Sequence, residues 1–180
     1  MKRVREAFEA ARTNNDAIDQ AISVVESYLA EHPDHLVATA YLGSLHAMFA
    51  GASHFPWIKL KHASTASVML DSAHERWLAG TNPRSSEELF PGELEILLLR
   101  GMAYANFPAF LGKAEVARNC LEEAEKHPAF AAIPASYQAL AYAHLTILCH
   151  HAGEEVLARR YLERGIVADE ATTRAIRAGR

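Results

Sequence analysis

Four times along the chain, a small residue is followed four positions later by a larger one, and three positions after that by a third residue on the same stripe. The sets are Ala21/Val25/Tyr28, Ala66/Leu70/Ala73, Ala117/Leu121/Ala124 and Ala158/Leu162/Gly165. Offsets of four and three align all three members on one face of an α-helix. The small first residue lets a neighbouring helix approach closely, and the large central one fills the space between the pair. Recurrence of this seam means helices that cover one another. Composition agrees: half of the residues are hydrophobic, Ala, Leu, Glu and Arg are abundant, and only nine Gly and seven Pro occur, a mix that favours an all-α fold over sheet.

Each copy of the stripe is preceded by another apolar helical segment. Helices are expected near residues 2–12, 15–31, 35–50, 57–78, 86–105, 109–126, 135–151 and 154–166. Breakers separate them in pairs: HPDH around Pro33, GTNPRSS around Pro83, and HPAFAAIP around Pro128 and Pro134. The expectation is one domain of four helical hairpins, near 2–33, 35–80, 86–127 and 135–166, with 167–180 as a capping helix from Asp169 or a tail.

With these features the chain resembles the tetratricopeptide repeat family, whose unit is a helix-turn-helix of about 34 residues. In that family the first helix of a unit carries Leu-Gly followed by an aromatic. Leu42-Gly43 with His46, and Arg100-Gly101 with Tyr104, approximate this pattern. Tyr28 is followed by Pro33 at the family's distance, and Thr146 stands where the fourth unit would carry its Gly. The resemblance covers about residues 2–166 and implies a right-handed superhelical stack of hairpins. Departures are informative too. Gly43 to Ala66 is 23 residues and Gly101 to Ala117 is 16, against 12 for Thr146 to Ala158. The two middle units therefore hold insertions, and these are alike: HFPWIKLK at 54–61 and NFPAFLGK at 106–113.

In the family, first helices of successive units line a concave groove that takes an extended peptide or a helix. Carried over, the groove would be lined by Val37, Ala40, Ser44, Ala47, Met48, Leu98, Met102, Ala143, Ile147 and His151. Chaperone-binding members hold a peptide carboxylate with Lys and Asn, where this chain has Ala40, Ser44 and Leu98, so that activity is not expected. An apolar, small-residue groove suits an amphipathic helix or hydrophobic segment, and methionines adapt to varied contours. The groove's occupant could equally be the chain's own C-terminal segment or a second copy. In the inserts, Phe55, Trp57, Phe107 and Phe110 form an aromatic lip for a partner, or else pack the starts of the second helices on one another, with Lys59, Lys61 and Lys113 as solvated neighbours.

Other chemistries find little support. The formal charge of −4, with acids and bases interspersed, offers no basic stripe for nucleic acid. Cys120 and Cys149 have no CxxC companion and read as core thiols. His144, His150 and His151 lack metal-ligand spacing, so no metal or other cofactor is expected. There is no Ser-His-Asp, HExxH or phosphate-loop signature, and no run approaching a membrane span of about 18 apolar residues. The reading is a noncatalytic, cytoplasmic, bacterial-type protein-binding scaffold. The alternative is a carrier or sensor that closes the same hollow around a small hydrophobic ligand, bounded by Trp57, Phe107 and Met102.

Overall fold

The structure is a computed structural model and describes residues 1–80 and 91–178. Among these there is no strand, and eight α-helices pack against one another: α1 (Lys2–Thr13), α2 (Ile18–Glu31), α3 (Leu36–Ala52), α4 (Pro56–Leu78), α5 (Gly92–Ala105), α6 (Ala114–Lys126), α7 (Ala135–His151) and α8 (Glu155–Ala178). The boundaries follow local chemistry. His35 opens α3 by accepting the Ala38 amide proton on Nδ1, Pro56 is the first residue of α4, and Pro134 immediately precedes α7. The first five residues expected of the fifth helix, 86–90, and the breaker around Pro83 lie outside the described residues.

One expectation is corrected and another is met. The segment expected as a helix from 109 is a short 3₁₀ turn, Ala109–Leu111, ended by Gly112 in the left-handed region, so α6 starts only at Ala114. A φ of +64° at Gly112 costs a glycine little and stops helix propagation. At the other end, α8 kinks at Asp169, whose backbone leaves helical space. Its carboxylate accepts the Thr172 amide proton and the Thr172 hydroxyl, so a fresh helical segment starts there, where the sequence places it.

The recurrent stripe is the seam. Ala21, Ala66, Ala117 and Ala158 are all buried, as are Val25, Leu70 and Leu121; Leu162 is only half-buried. The same contact occurs twice. A Cβ on Gly43 would stand 2.8 Å from Leu70 Cγ and 3.2 Å from the Ala66 carbonyl. A Cβ on Gly101 would stand 2.7 Å from Leu121 Cγ and 3.2 Å from the Ala117 carbonyl. Each glycine lets the backbone of one helix rest on the small-large pair of the next. Cys120 and Cys149 are buried free thiols.

Candidate functional site

Contacts between α3 and α5 keep a nearly constant offset. Val37 faces Gly92, the Tyr41 hydroxyl donates to Glu95, and the Ser44 hydroxyl donates to the Leu99 carbonyl. The two helices thus run side by side in the same direction, and continuing the offset brings Met48 level with Met102. Contacts between α5 and α4 run oppositely: Gly92 meets Trp77, Arg100 meets Asp71, and Tyr104 meets Ser67. Extending that register carries the second insert, beyond Ala105, toward the first half of α4.

Helix α1 lies over the first turns of α3, α5 and α7. Phe8 meets Tyr41 edge-on with ring centroids 4.9 Å apart. Arg5 grips the Glu95 carboxylate with Nε and Nη2 at 2.9 and 3.0 Å, and Tyr137 donates to Glu9 at 2.6 Å. Glu95 is 1% exposed. Burial pulls the Arg5 guanidinium down, and Glu95 more than offsets this, holding it above its ordinary value; burial and the Glu95 carboxylate together push the Tyr41 phenol far up. The network is a charged clasp between α1 and the interior.

This arrangement divides the expected groove. Val37, Ala40, Ser44, Leu98 and Ala143 are buried among neighbouring helices and offer no surface to a partner, contrary to the expected lining. Ala47, Met48, Met102 and Ile147, near the far ends of α3, α5 and α7, are half-buried, and His151 is exposed. Helix α1 packs beside the buried positions on Tyr41, Glu95 and Tyr137, a placement that no feature of α1 announced: its apolar positions Val4, Phe8 and Ala11 suit any amphipathic helix.

The aromatic residues of the inserts divide as well. Phe55 pairs with Trp57, centroids 5.3 Å apart, and Phe107 packs edge-on against Tyr104. Trp57 is 68% exposed, Phe55 54% and Phe110 79%, whereas Phe107 is half-buried against the core. Lys59 and Lys61 stand in solvent, as expected for solvated neighbours. Lys113 does not. Its ammonium sits 4.6 Å over the Tyr104 ring and 3.0 Å from Asp71 Oδ2.

Asp71 organises the second insert. Oδ1 accepts from Arg100 Nε at 3.0 Å, Arg100 Nη2 at 2.8 Å and the Tyr104 hydroxyl at 2.7 Å, while Oδ2 takes Lys113. Burial alone would raise this carboxyl; the donors from Tyr104, Arg100 and Lys113 outweigh it and hold Asp71 below its ordinary range. Arg100 also donates to Cys120 Sγ at 3.1 Å. Burial still keeps that thiol above its usual value, against the pull of the guanidinium. Both oxygens of Asp71 are occupied in tying the insert to α4 and α5. The acid limit follows: a carboxyl depressed in the fold stabilises it above its unfolded pKa of about 3.9 and ceases to as pH falls through the folded value. Asp71→Asn should therefore flatten the loss of melting temperature between pH 5 and pH 3 relative to wild type; an unchanged acid slope would contradict this role.

His46 on α3 and His62 on α4 face each other with Nδ1 atoms 2.9 Å apart, and Phe49 stacks on His62 at 4.2 Å. One ring donates to the other, so the pair is compatible with at most one shared proton. Burial lowers both groups, for His46 aided by His62 and Lys61, for His62 aided by Lys61 and opposed by Asp19 of α2. The unfolded chain then binds protons first. Stability contributed here is complete above the unfolded pKa of about 6.5 and falls as pH drops below it toward the depressed folded value. Melting temperatures of wild type should fall more steeply between pH 7 and pH 5 than those of a His46→Gln variant; parallel curves would contradict it.

Two shallow hollows lie along α8: one of about 370 Å3 against α7, and one of about 490 Å3 at the start of α8 and the turn before it. The first is lined by Tyr142, Arg164 and Val167 among others, the second by residues 153–157 and Arg160. Neither involves Trp57, Phe107 or Met102. Among the described residues no three His, Cys, Asp or Glu side chains are grouped to hold a metal ion, and no helix is long and apolar enough to cross a membrane. Comparison with protein-family models, with curated proteins and with solved structures finds no match.

Proposed function

We propose that the chain is a noncatalytic protein-interaction module, a tetratricopeptide-like, right-handed stack of four helical hairpins that takes a partner helix or peptide at the open end of its inner face. The repeated glycine seat, Gly43 on Ala66 and Leu70 and then Gly101 on Ala117 and Leu121, supports the hairpin reading. The observation that carries the docking assignment is the exposure of Phe55, Trp57 and Phe110 at the end where Met48 and Met102 remain half-buried. Large aromatic side chains held in water on a rigid helical frame gain most from a partner that covers them. The buried end, clasped by α1, serves stability; the open end serves recognition.

Affinity capture compares wild type with Met102→Glu, using Ser27→Glu on the exposed side of α2 as control. A charge placed in a desolvated contact should weaken capture by about 2 kcal/mol, roughly thirtyfold in affinity, while the control retains it. An unchanged set of captured proteins with Met102→Glu would overturn the assignment.

A further inference from the structure

Resting on that reading, the chemistry of the lip identifies the class of partner. Between Asp34 and Asp71 the chain carries no Asp or Glu, and its only fixed charges there are Lys59 and Lys61. Subtracting these two lysines from the formal −4 leaves −6 on the remainder of the chain. A molecule with an acidic surplus therefore concentrates an acid-free basic segment where its largest apolar side chains are exposed.

Geometry aligns the two properties. Trp57, Leu60, Ser64 and Val68 follow one another at steps of three and four, a single stripe on α4, and all four are exposed. The opposite stripe, Ala63, Ala66, Leu70 and Ala73, is the buried seam. Lys61, four residues after Trp57, borders the exposed stripe; Lys59, four residues before Ala63, starts the line of the seam and stands in solvent in the first turn of α4. The helix start adds to the field: Phe55 provides no side-chain cap and the first turn holds no acidic residue, so the positive end of the helix dipole meets solvent without a carboxylate.

We infer that the exposed face of α4, from Phe55 to Val68, docks an acidic amphipathic helix, whose apolar positions cover Trp57 and Leu60 while its flanking carboxylates meet Lys61 and the helix start. An anionic lipid surface offers the same charges but fits less well. It extends over the whole molecule and meets the net −6 elsewhere, whereas a single helix senses only charges within a Debye length of about 8 Å.

The test uses a labelled synthetic helix with Leu at i, i+3, i+4 and i+7 and Glu at the other positions, and a twin with Lys in place of Glu, titrated by fluorescence anisotropy into the full chain. The Glu peptide should bind about tenfold tighter than the Lys twin, a difference of about 1.4 kcal/mol. Lys61→Glu should abolish the preference while Lys59→Glu, on the seam side, leaves it, and Trp57→Ala should weaken the Glu peptide by at least about tenfold. All three positions are exposed, and circular dichroism verifies that the variants fold. Equal affinity for the two peptides, or indifference to Trp57→Ala, would overturn the inference. So would flotation with phosphatidylserine-containing vesicles in the absence of peptide binding. If the peptides fail while Met102→Glu still alters capture, only the acidic-partner assignment falls.

Discussion

Glu95→Ala should destabilise the protein by about 3–5 kcal/mol, because it strands the Arg5 guanidinium and the Tyr41 hydroxyl in the interior without their acceptor. The carboxylate is enclosed, and it receives both arms of Arg5 together with the phenol. Breaking one member of such a group costs more than the group itself contributes, since desolvation of the survivors is no longer offset. Replacing the whole set with apolar side chains, Arg5→Met/Tyr41→Phe/Glu95→Leu, should accordingly recover most of the loss. Urea unfolding of both variants measures this. A cost below about 1 kcal/mol for Glu95→Ala would mean that α1 is not clasped to α5 as described.

Leu121→Ala should cost about 2–5 kcal/mol by leaving a cavity at the α5–α6 seam, where the side chain has no exposed surface. Its partner is the missing side chain of Gly101. A methyl group there would meet Leu121 Cγ at 2.7 Å, so Gly101→Ala alone should also destabilise. Combined, the changes should be less costly than their sum, because the new methyl enters space that the leucine vacates. A double-mutant cycle in urea reads the coupling directly, and strict additivity would show that the two positions do not share a seat.

The helical seam was legible from sequence because packing imposes a period: Ala66, Leu70 and Ala73 lie on one stripe whatever they touch, and all three are buried. Gly112 was harder to read, since a lone glycine four residues after Pro108 does not declare whether it continues or stops a helix. Lys113 looked like a surface lysine because the attraction of Asp71, 42 residues earlier, is a tertiary event with no local signature. The same holds for Glu95, which reads as an ordinary polar position in the first turn of α5 and becomes buried because Arg5, 90 residues away, neutralises it. Of the proposed groove, the half near Met48 and Met102 kept some exposure, while Val37, Ala40, Ser44, Leu98 and Ala143 did not. Apolar composition cannot distinguish a surface awaiting a partner from one already covered by the chain itself.

The lip shows the complementary case. For Phe55, Trp57 and Phe110 the sequence favoured packing between the inserts over a docking lip, and the structure leaves all three exposed. Phe107 alone turned inward, held by Tyr104, whose hydroxyl is engaged by Asp71. One charged cluster thus anchors the second insert and leaves its neighbour Phe110 in solvent.

Hydrogen exchange of the full chain, with and without the Glu-bearing amphipathic helix, tests most directly whether recognition belongs to the open end. Slowed exchange confined to residues 46–68 and 101–113, with α2 and α8 unchanged, is the expected result. Protection in α2 or α8 instead, or accelerated exchange in α1 signalling that the clasp must open for binding, would contradict it.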